Sequence, residues 1–257
     1  MKARIKDLPR LAALLCGAAL SLQAPAATLT SAYEFNGNLN DSVLEGHDDA
    51  LVSGTRGSGS GTVTASNFVF GGNQGVTLSN ALADIDNYSV ELYFSFDALG
   101  QDNNYRNILD PGLARDDRSL YARGDERVHF YNGPVSAPDV LVQGALNHLV
   151  FTRATSGIQV FVNGALVLSD NSPTTIAVSQ ASDNVLHVFE DDAGEVAPGT
   201  LEYLRLYNGV LDAGEVSTLY SRRDQALDVS AVPVPASLPL LVSALGVIAA
   251  RRRMKSA

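Results

Sequence analysis

Few residues in this 257-residue chain have the type and spacing to do chemistry. Asp84-Ile85-Asp86 sets two carboxylates close together. Glycoside hydrolysis needs such a pair, roughly 5 Å or 6.5–9.5 Å apart. Here Asn87 opens a strand directly afterwards, which makes the two acids loop caps. Glu190-Asp191-Asp192 is an oxygen-rich run, and Asp191 is a candidate calcium ligand. Calcium takes six to eight oxygens at about 2.3–2.6 Å. The four histidines, His47, His129, His148 and His187, are scattered, and His148 is expected to pack at a strand start. No Gly-x-Ser-x-Gly or His-Glu-x-x-His string occurs, and the Gly57–Gly61 run lacks the Lys-Ser/Thr of a phosphate loop. Arg123-Gly124-Asp125 spells an integrin-recognition tripeptide, yet Gly-Asp between two strands is ordinary turn chemistry. A sugar site needs aromatic faces beside fixed polar groups. Tyr93 points away from the apolar side of its strand, and Tyr105, Tyr121 and Tyr131 fall in or near loops. The chain has no Trp, and no sugar site is assigned.

The elements that must carry these residues read as strands. In Tyr88–Phe96, residues 88, 90, 92, 94 and 96 are apolar, with Ser89, Glu91, Tyr93 and Ser95 on the other side. A period of two with one apolar face is a half-buried strand. Ile158–Val162 and Ala165–Leu168 flank Asn163-Gly164, the strongest short hairpin signal, because a type I′ turn needs positive φ twice. Further strands are expected at 31–35, 67–70, 75–78, 107–109, 119–122, 127–131, 148–153, 184–189 and 201–207. About a dozen short strands favour an all-β, antiparallel two-sheet sandwich of jelly-roll type. One short C-terminal helix is expected after the capping box Asp212-Ala213-Gly214-Glu215.

The two ends give an address. Lys2, Arg4, Lys6 and Arg10 precede an apolar stretch from Leu11 to Leu22, and Ala24-Pro25-Ala26 offers a cleavage site. That pattern predicts a signal peptide over 1–26. No charge occurs from Ala231 to Ala250, and Arg251, Arg252, Arg253 and Lys255 follow. Twenty helical residues cross about 30 Å, and a basic cluster beyond stays cytoplasmic. A transmembrane helix is therefore expected, with the body outside.

The chain carries −10 in all; the first 26 residues contribute +3 and residues 231–257 +4, which leaves −17 on residues 27–230. So acidic a body repels phosphate backbones, which argues against nucleic acid as a partner. The only cysteine, Cys16, lies in the signal segment, so the mature domain is held by its core rather than by disulfides. Some 200 residues can bury roughly 70% of their unfolded surface, enough for one domain.

Four pieces in order resemble LamG-like, concanavalin A-like jelly-roll domains. They are Tyr33-Glu34-Phe35-Asn36-Gly37 through Asp41-Ser42, then Tyr88–Phe96, then His148–Arg153 running through Gly157 to Asn163-Gly164, and finally Gly199–Asn208 with Leu211 and Glu215. Asn147 stands where many relatives carry Trp. The resemblance implies one structural Ca²⁺ at a loop edge, with Asp41 at the early turn and Glu202 in the closing strand as ligands. His47, Asp48 and Asp49 lie near Asp41. Laminarinase-like relatives carry Glu-x-Asp-x-x-Glu or Glu-x-Asp-x-Glu on one strand face; here the first spacing occurs once, as Glu190-Asp191-Asp192-Ala193-Gly194-Glu195, in the oxygen-rich run after the strand expected at 184–189. The tail, with Val232, Pro233, Val234, Pro235 and Ala236 before the apolar segment and Arg cluster, is similar to PEP-CTERM sorting signals. That resemblance implies recognition by an exosortase, cleavage near the Pro motif and transfer to the surface of an exopolysaccharide-producing bacterium.

The expected organisation is a signal peptide at 1–26, a LamG-like domain at 27–221, a linker at 222–230 and a sorting signal at 231–257. The expected function is non-catalytic, surface-sorted binding of glycan or protein in an extracellular matrix. A structural matrix protein without a specific ligand and, third, a glycoside hydrolase are the alternatives.

Overall fold

The computed structural model describes residues 26–43, 51–55, 59–100, 105–112, 119–192, 194–225 and 227. The expected signal peptide up to residue 25, the motif at 232–236 and the basic cluster at 251–253 lie outside the described residues, as do His47, Asp48 and Asp49. Among the described residues no helix is long and apolar enough to cross a membrane.

The strands are β1 (Thr28–Tyr33), β2 (Val52–Ser53), β3 (Thr62–Val63), β4 (Phe68–Phe70), β5 (Val76–Ser79), β6 (Tyr88–Phe96), β7 (Tyr105–Asp110), β8 (Leu120–Arg123), β9 (Val128–Phe130), β10 (Asn147–Ala154), β11 (Gly157–Val162), β12 (Ala165–Asp170), β13 (Val185–Val188) and β14 (Gly199–Asn208). Helices α1 (Pro173–Val178) and α2 (Ala213–Ser221) complete the chain order. A large sheet runs β12-β11-β10-β6-β14-β4-β3, with β1 also paired to β14. A small sheet runs β2-β5-β13-β7-β8-β9. All the pairings are antiparallel. The result is the expected two-sheet sandwich.

Alternation decides which side chains meet between the sheets. Tyr88, Val90, Leu92, Phe94 and Phe96 of β6 are buried in the main core. Phe70 and Phe189 stack there with ring centroids 4.3 Å apart, and Phe94 and Phe96 pack on Phe189 at 5.0 and 5.4 Å. Phe189 reaches this place with φ +58°, an uncommon backbone state for a bulky residue. That turn ends β13 and sets the following Glu190 beside Thr77 and His187. At the hairpin after β11, Asn163 and Gly164 take φ +50° and +80°, as a type I′ turn requires.

Two features depart from the sequence reading. Strands β2 and β3 are only two residues long, too short to show a period. A second helix, α1, appears in the domain, where a single short one was expected. Its signal was capping chemistry: the Ser172 hydroxyl accepts from the Thr175 N–H, and Pro173 follows the cap. Six residues give no usable helical periodicity.

Outside the large sheet lies a second apolar cluster. Val150, Phe161 and Tyr207 pack there with Leu29, Leu211 and Val216 of α2. The capping box is complete: Asp212 accepts from the N–H groups of Gly214 and Glu215, and Glu215 Oε2 accepts from the Asp212 N–H at 2.8 Å. This helix decides which parts of the outer face remain open.

Candidate functional site

Glu91 lies under α2, on the outward side of β6, and is completely buried. Its Oε1 is 2.9 Å from His148 Nε2 on β10 and accepts from the Tyr203 hydroxyl at 3.1 Å. Its Oε2 accepts from the Tyr207 hydroxyl at 2.5 Å. Arg205 lies 3.6 Å away and is also held by both oxygens of Glu34 at 2.9 and 3.2 Å. Burial pushes the Glu91 carboxyl up, but the His148 hydrogen bond and the Arg205 charge outweigh it and hold the group below its usual range. Burial and the adjacent Glu91 charge push the Tyr207 hydroxyl well up, so it stays a proton donor. Tyr220 of α2 covers His148 with ring centroids 5.7 Å apart. Tyr93 is also sealed, its hydroxyl donating to Asp224 at 2.7 Å, so it offers no face to a sugar. His148 packs, as expected, and the acids here serve the fold.

The outward side of the small sheet is different. Tyr121 stands opposite Asn107 on β7 and His129 on β9. Tyr105 and Tyr131 come in from either side. The Tyr105 ring lies 5.2 Å from Tyr121, 5.2 Å from His129 and 5.5 Å from Tyr131, the last edge-on at 86°. Tyr121 and Tyr131 are 6.2 Å apart. Tyr121 is buried, whereas Tyr105, Tyr131 and His129 are half-exposed. Burial and the nearby Arg123 hold His129 below its ordinary value, so it is neutral near pH 7. The Asn107 amide is buried, and neither of its polar atoms has a hydrogen-bond partner among the described residues. Three tyrosines that the sequence left separate thus form one platform beside the His129 ring and the Asn107 amide. Cross-strand register, not sequence spacing, assembles them.

The acids read as calcium ligands take separate posts. Asp41 Oδ1 accepts from the N–H groups of Ala32 at 2.9 Å and Val43 at 2.8 Å, which caps the early turn; its buried Oδ2 has no partner among the described residues. Glu202 Oε1 accepts from the Asn67 amide at 3.4 Å. Among the described residues no shared partner joins it to Asp41. Asp191 is buried in the loop after β13; Tyr121 donates to its Oδ2 and the Glu195 N–H to its Oδ1, both at 3.4 Å. Neighbouring Glu190 accepts from Thr55 at 2.7 Å and Thr77 at 2.6 Å, and lies 3.3 Å from His187 Nδ1. Burial raises its pKa, and these hydrogen bonds bring it below the usual value. Among the described residues, no three acidic, histidine or cysteine side chains converge as a metal centre requires. Asp41, Glu202 and Asp191 do not share a hydrogen-bond partner among the described residues. In the Arg-Gly-Asp turn, Asp125 is tied to Arg127 at 2.7 Å.

Residues 70–217, more than half of the chain, match the family described as the concanavalin A-like lectin/glucanases superfamily, Laminin_G_3. The chain belongs to this family. Solved structures share the fold of this concanavalin A-like chain. Domain 4 of AbnA, a GH43 extracellular arabinanase from Geobacillus stearothermophilus, in complex with arabinotriose, is 18% identical with a TM-score of 0.54; the match covers 76% of this chain and 99% of that one. Trypanosoma rangeli sialidase is 15% identical with a TM-score of 0.61, over 77% of this chain and 33% of the sialidase. The binding domain of botulinum neurotoxin serotype D is 12% identical with a TM-score of 0.55, over 77% and 52%. No curated protein sequence matches the chain. This concanavalin A-like chain therefore spans one third of the sialidase and about half of the toxin domain.

Proposed function

We propose that the chain is an exported, non-catalytic module that binds a neutral glycan on the tyrosine platform of its small sheet. The convergence of Tyr105, Tyr121 and Tyr131 with His129 carries the reading. Aromatic faces cover the apolar side of a sugar ring while fixed polar groups orient its hydroxyls. A body at −17 disfavours acidic polysaccharides. On the large sheet the carboxylates Glu91 and Glu34 share Arg205, and the completely buried Glu91 supports a structural rather than a hydrolytic role for that pair. The fold neighbour solved with arabinotriose adds support for a sugar ligand. Export and sorting rest on the signal-like leader and on the tail motif at 232–236 with its basic cluster at 251–253. An exosortase as processing partner, and the cell surface or matrix as destination, follow from that motif's resemblance.

A screen of neutral and acidic polysaccharides, each with and without EDTA, tests the reading. Retention by neutral polymers, unchanged by EDTA and without release of reducing ends, is the expected result. Binding to none of them would leave a structural matrix role. Release of reducing ends would make the chain a hydrolase.

A further inference from the structure

The outer face of the large sheet is not wholly covered. Beyond α2 an open groove of about 440 Å³ lies across the ends of β10, β11 and β12. Its floor is a cross-strand row, since Thr152 stands opposite Gln159 and Gln159 opposite Ser169. Ser156 and Asn171 rise at the strand ends, and Val210 closes one side. The side-chain hydroxyls and amides of Thr152, Ser156, Gln159, Ser169 and Asn171 make no hydrogen bond with any described residue. Thr152 is 99% buried, so it belongs to a built floor rather than to a loose surface.

The lining excludes most ligand classes. It holds no Lys, Arg or His, so an anion would meet no positive charge in a strongly acidic protein. Its one carboxylate, Asp170, is already committed to the start of α1. It accepts from the Ser172 N–H at 3.1 Å, from the Ser172 hydroxyl at 3.0 Å and from the Thr175 hydroxyl. A cation would find a single carboxylate that already accepts three hydrogen bonds. An apolar ligand would strand the five polar groups. What remains is a partner whose groups both donate and accept without charge, as hydroxyls and amides do. The volume falls within the range of about 300–1,000 Å³ found for small-molecule sites.

We infer that this groove is a second binding site, one that takes an uncharged polyhydroxylated ligand such as a unit of a neutral polysaccharide. The ligand class rests on the glycan reading above, but the residues and the face are different. The tyrosine platform lies outside the small sheet, and this groove lies outside the large one.

The test is methyl-detected NMR on the full chain, labelled at Ala, Ile, Leu and Val and titrated with maltotriose, cellotriose and arabinotriose to about 10 mM, well above a weak millimolar Kd. Saturable shifts at Ala154, Ile158 and Val210 are expected with at least one of them, and equal amounts of glucuronic acid should leave those signals still. Gln159→Ala with Ser169→Ala, both away from the core, should weaken the groove response about tenfold, the loss expected for one or two uncharged hydrogen bonds. Tyr131→Ala should leave that response intact. Still groove signals beside moving signals at Ala122 and Val128, under the platform, would overturn the groove and spare the platform. Moving groove signals with a silent platform would do the reverse. Groove shifts with glucuronic acid alone would overturn the ligand class.

Discussion

Glu91 gathers His148, Tyr203, Tyr207 and Arg205 around one buried carboxylate. Removing one member of such a set leaves the others desolvated and unpaired, which costs more than the contact itself contributes. Glu91→Ala should cost about 3 kcal/mol in chemical denaturation. Acid should act through the same group. Glu91 and Glu190 both titrate below the usual 4.5 in the folded protein. Their contribution is therefore complete above the unfolded value and is lost as pH falls through the lower native one. The melting temperature should hold steady from about pH 7 to pH 5 and drop below about pH 4. Glu91→Gln should start lower and fall less steeply in acid; an acid limb identical to the parent's would show that Glu91 carries no such linkage. The sequence placed Glu91 on the polar side of its strand but could not show this role. Its partners lie 57, 112 and 116 residues away along the chain. The tyrosine platform was hidden for the same reason, since only the β7-β8-β9 register brings its members together.

At the scale of elements, local chemistry was legible and long-range cover was not. The Asn163-Gly164 hairpin and the Asp212–Glu215 capping box announce themselves within four residues, and both are present as read. Helix α1 and the two-residue strands carry too little pattern to find. The site of α2 on the sheet follows from apolar residues far apart, such as Leu29, Phe161 and Val216, and no window along the chain contains them. Asp212→Ala removes an N-cap and should cost about 1 kcal/mol. Because α2 covers His148, hydrogen exchange under the helix should quicken in that variant. Gly199 tests the pairing of β14 with β6. A Cβ there would lie 2.1 Å from the Ser95 carbonyl oxygen and 2.8 Å from the Phe70 ring. Gly199→Ala should therefore destabilise by about 3 kcal/mol, the upper range for forced overpacking. A melting temperature equal to the parent's would contradict the register.

For the whole molecule, the sandwich was readable because alternation runs through nearly every strand and each apolar face needs another to cover it. Which outer faces stay open was not readable, since that depends on where one helix and a few loops come to rest. The structure leaves the tyrosine platform on one side and the polar groove on the other. A body with two sites facing apart can join two polymer chains instead of gripping one, and its effective affinity for a dense matrix rises without new contacts. The parent should thus raise light scattering of a neutral polysaccharide solution, whereas Tyr131→Ala or Gln159→Ala with Ser169→Ala should bind at one face without raising it. Equal scattering by all three proteins would contradict bivalent bridging.

The central claim is that the tyrosine platform binds neutral glycan. Affinity electrophoresis through gels containing the neutral polysaccharide retained in the screen tests it most directly, with the parent, Tyr131→Ala and Tyr105→Ala run side by side. The account predicts retardation of the parent and about tenfold weaker retardation of each variant, as expected for one lost aromatic contact. Parent and variants moving together at every polysaccharide concentration would contradict it.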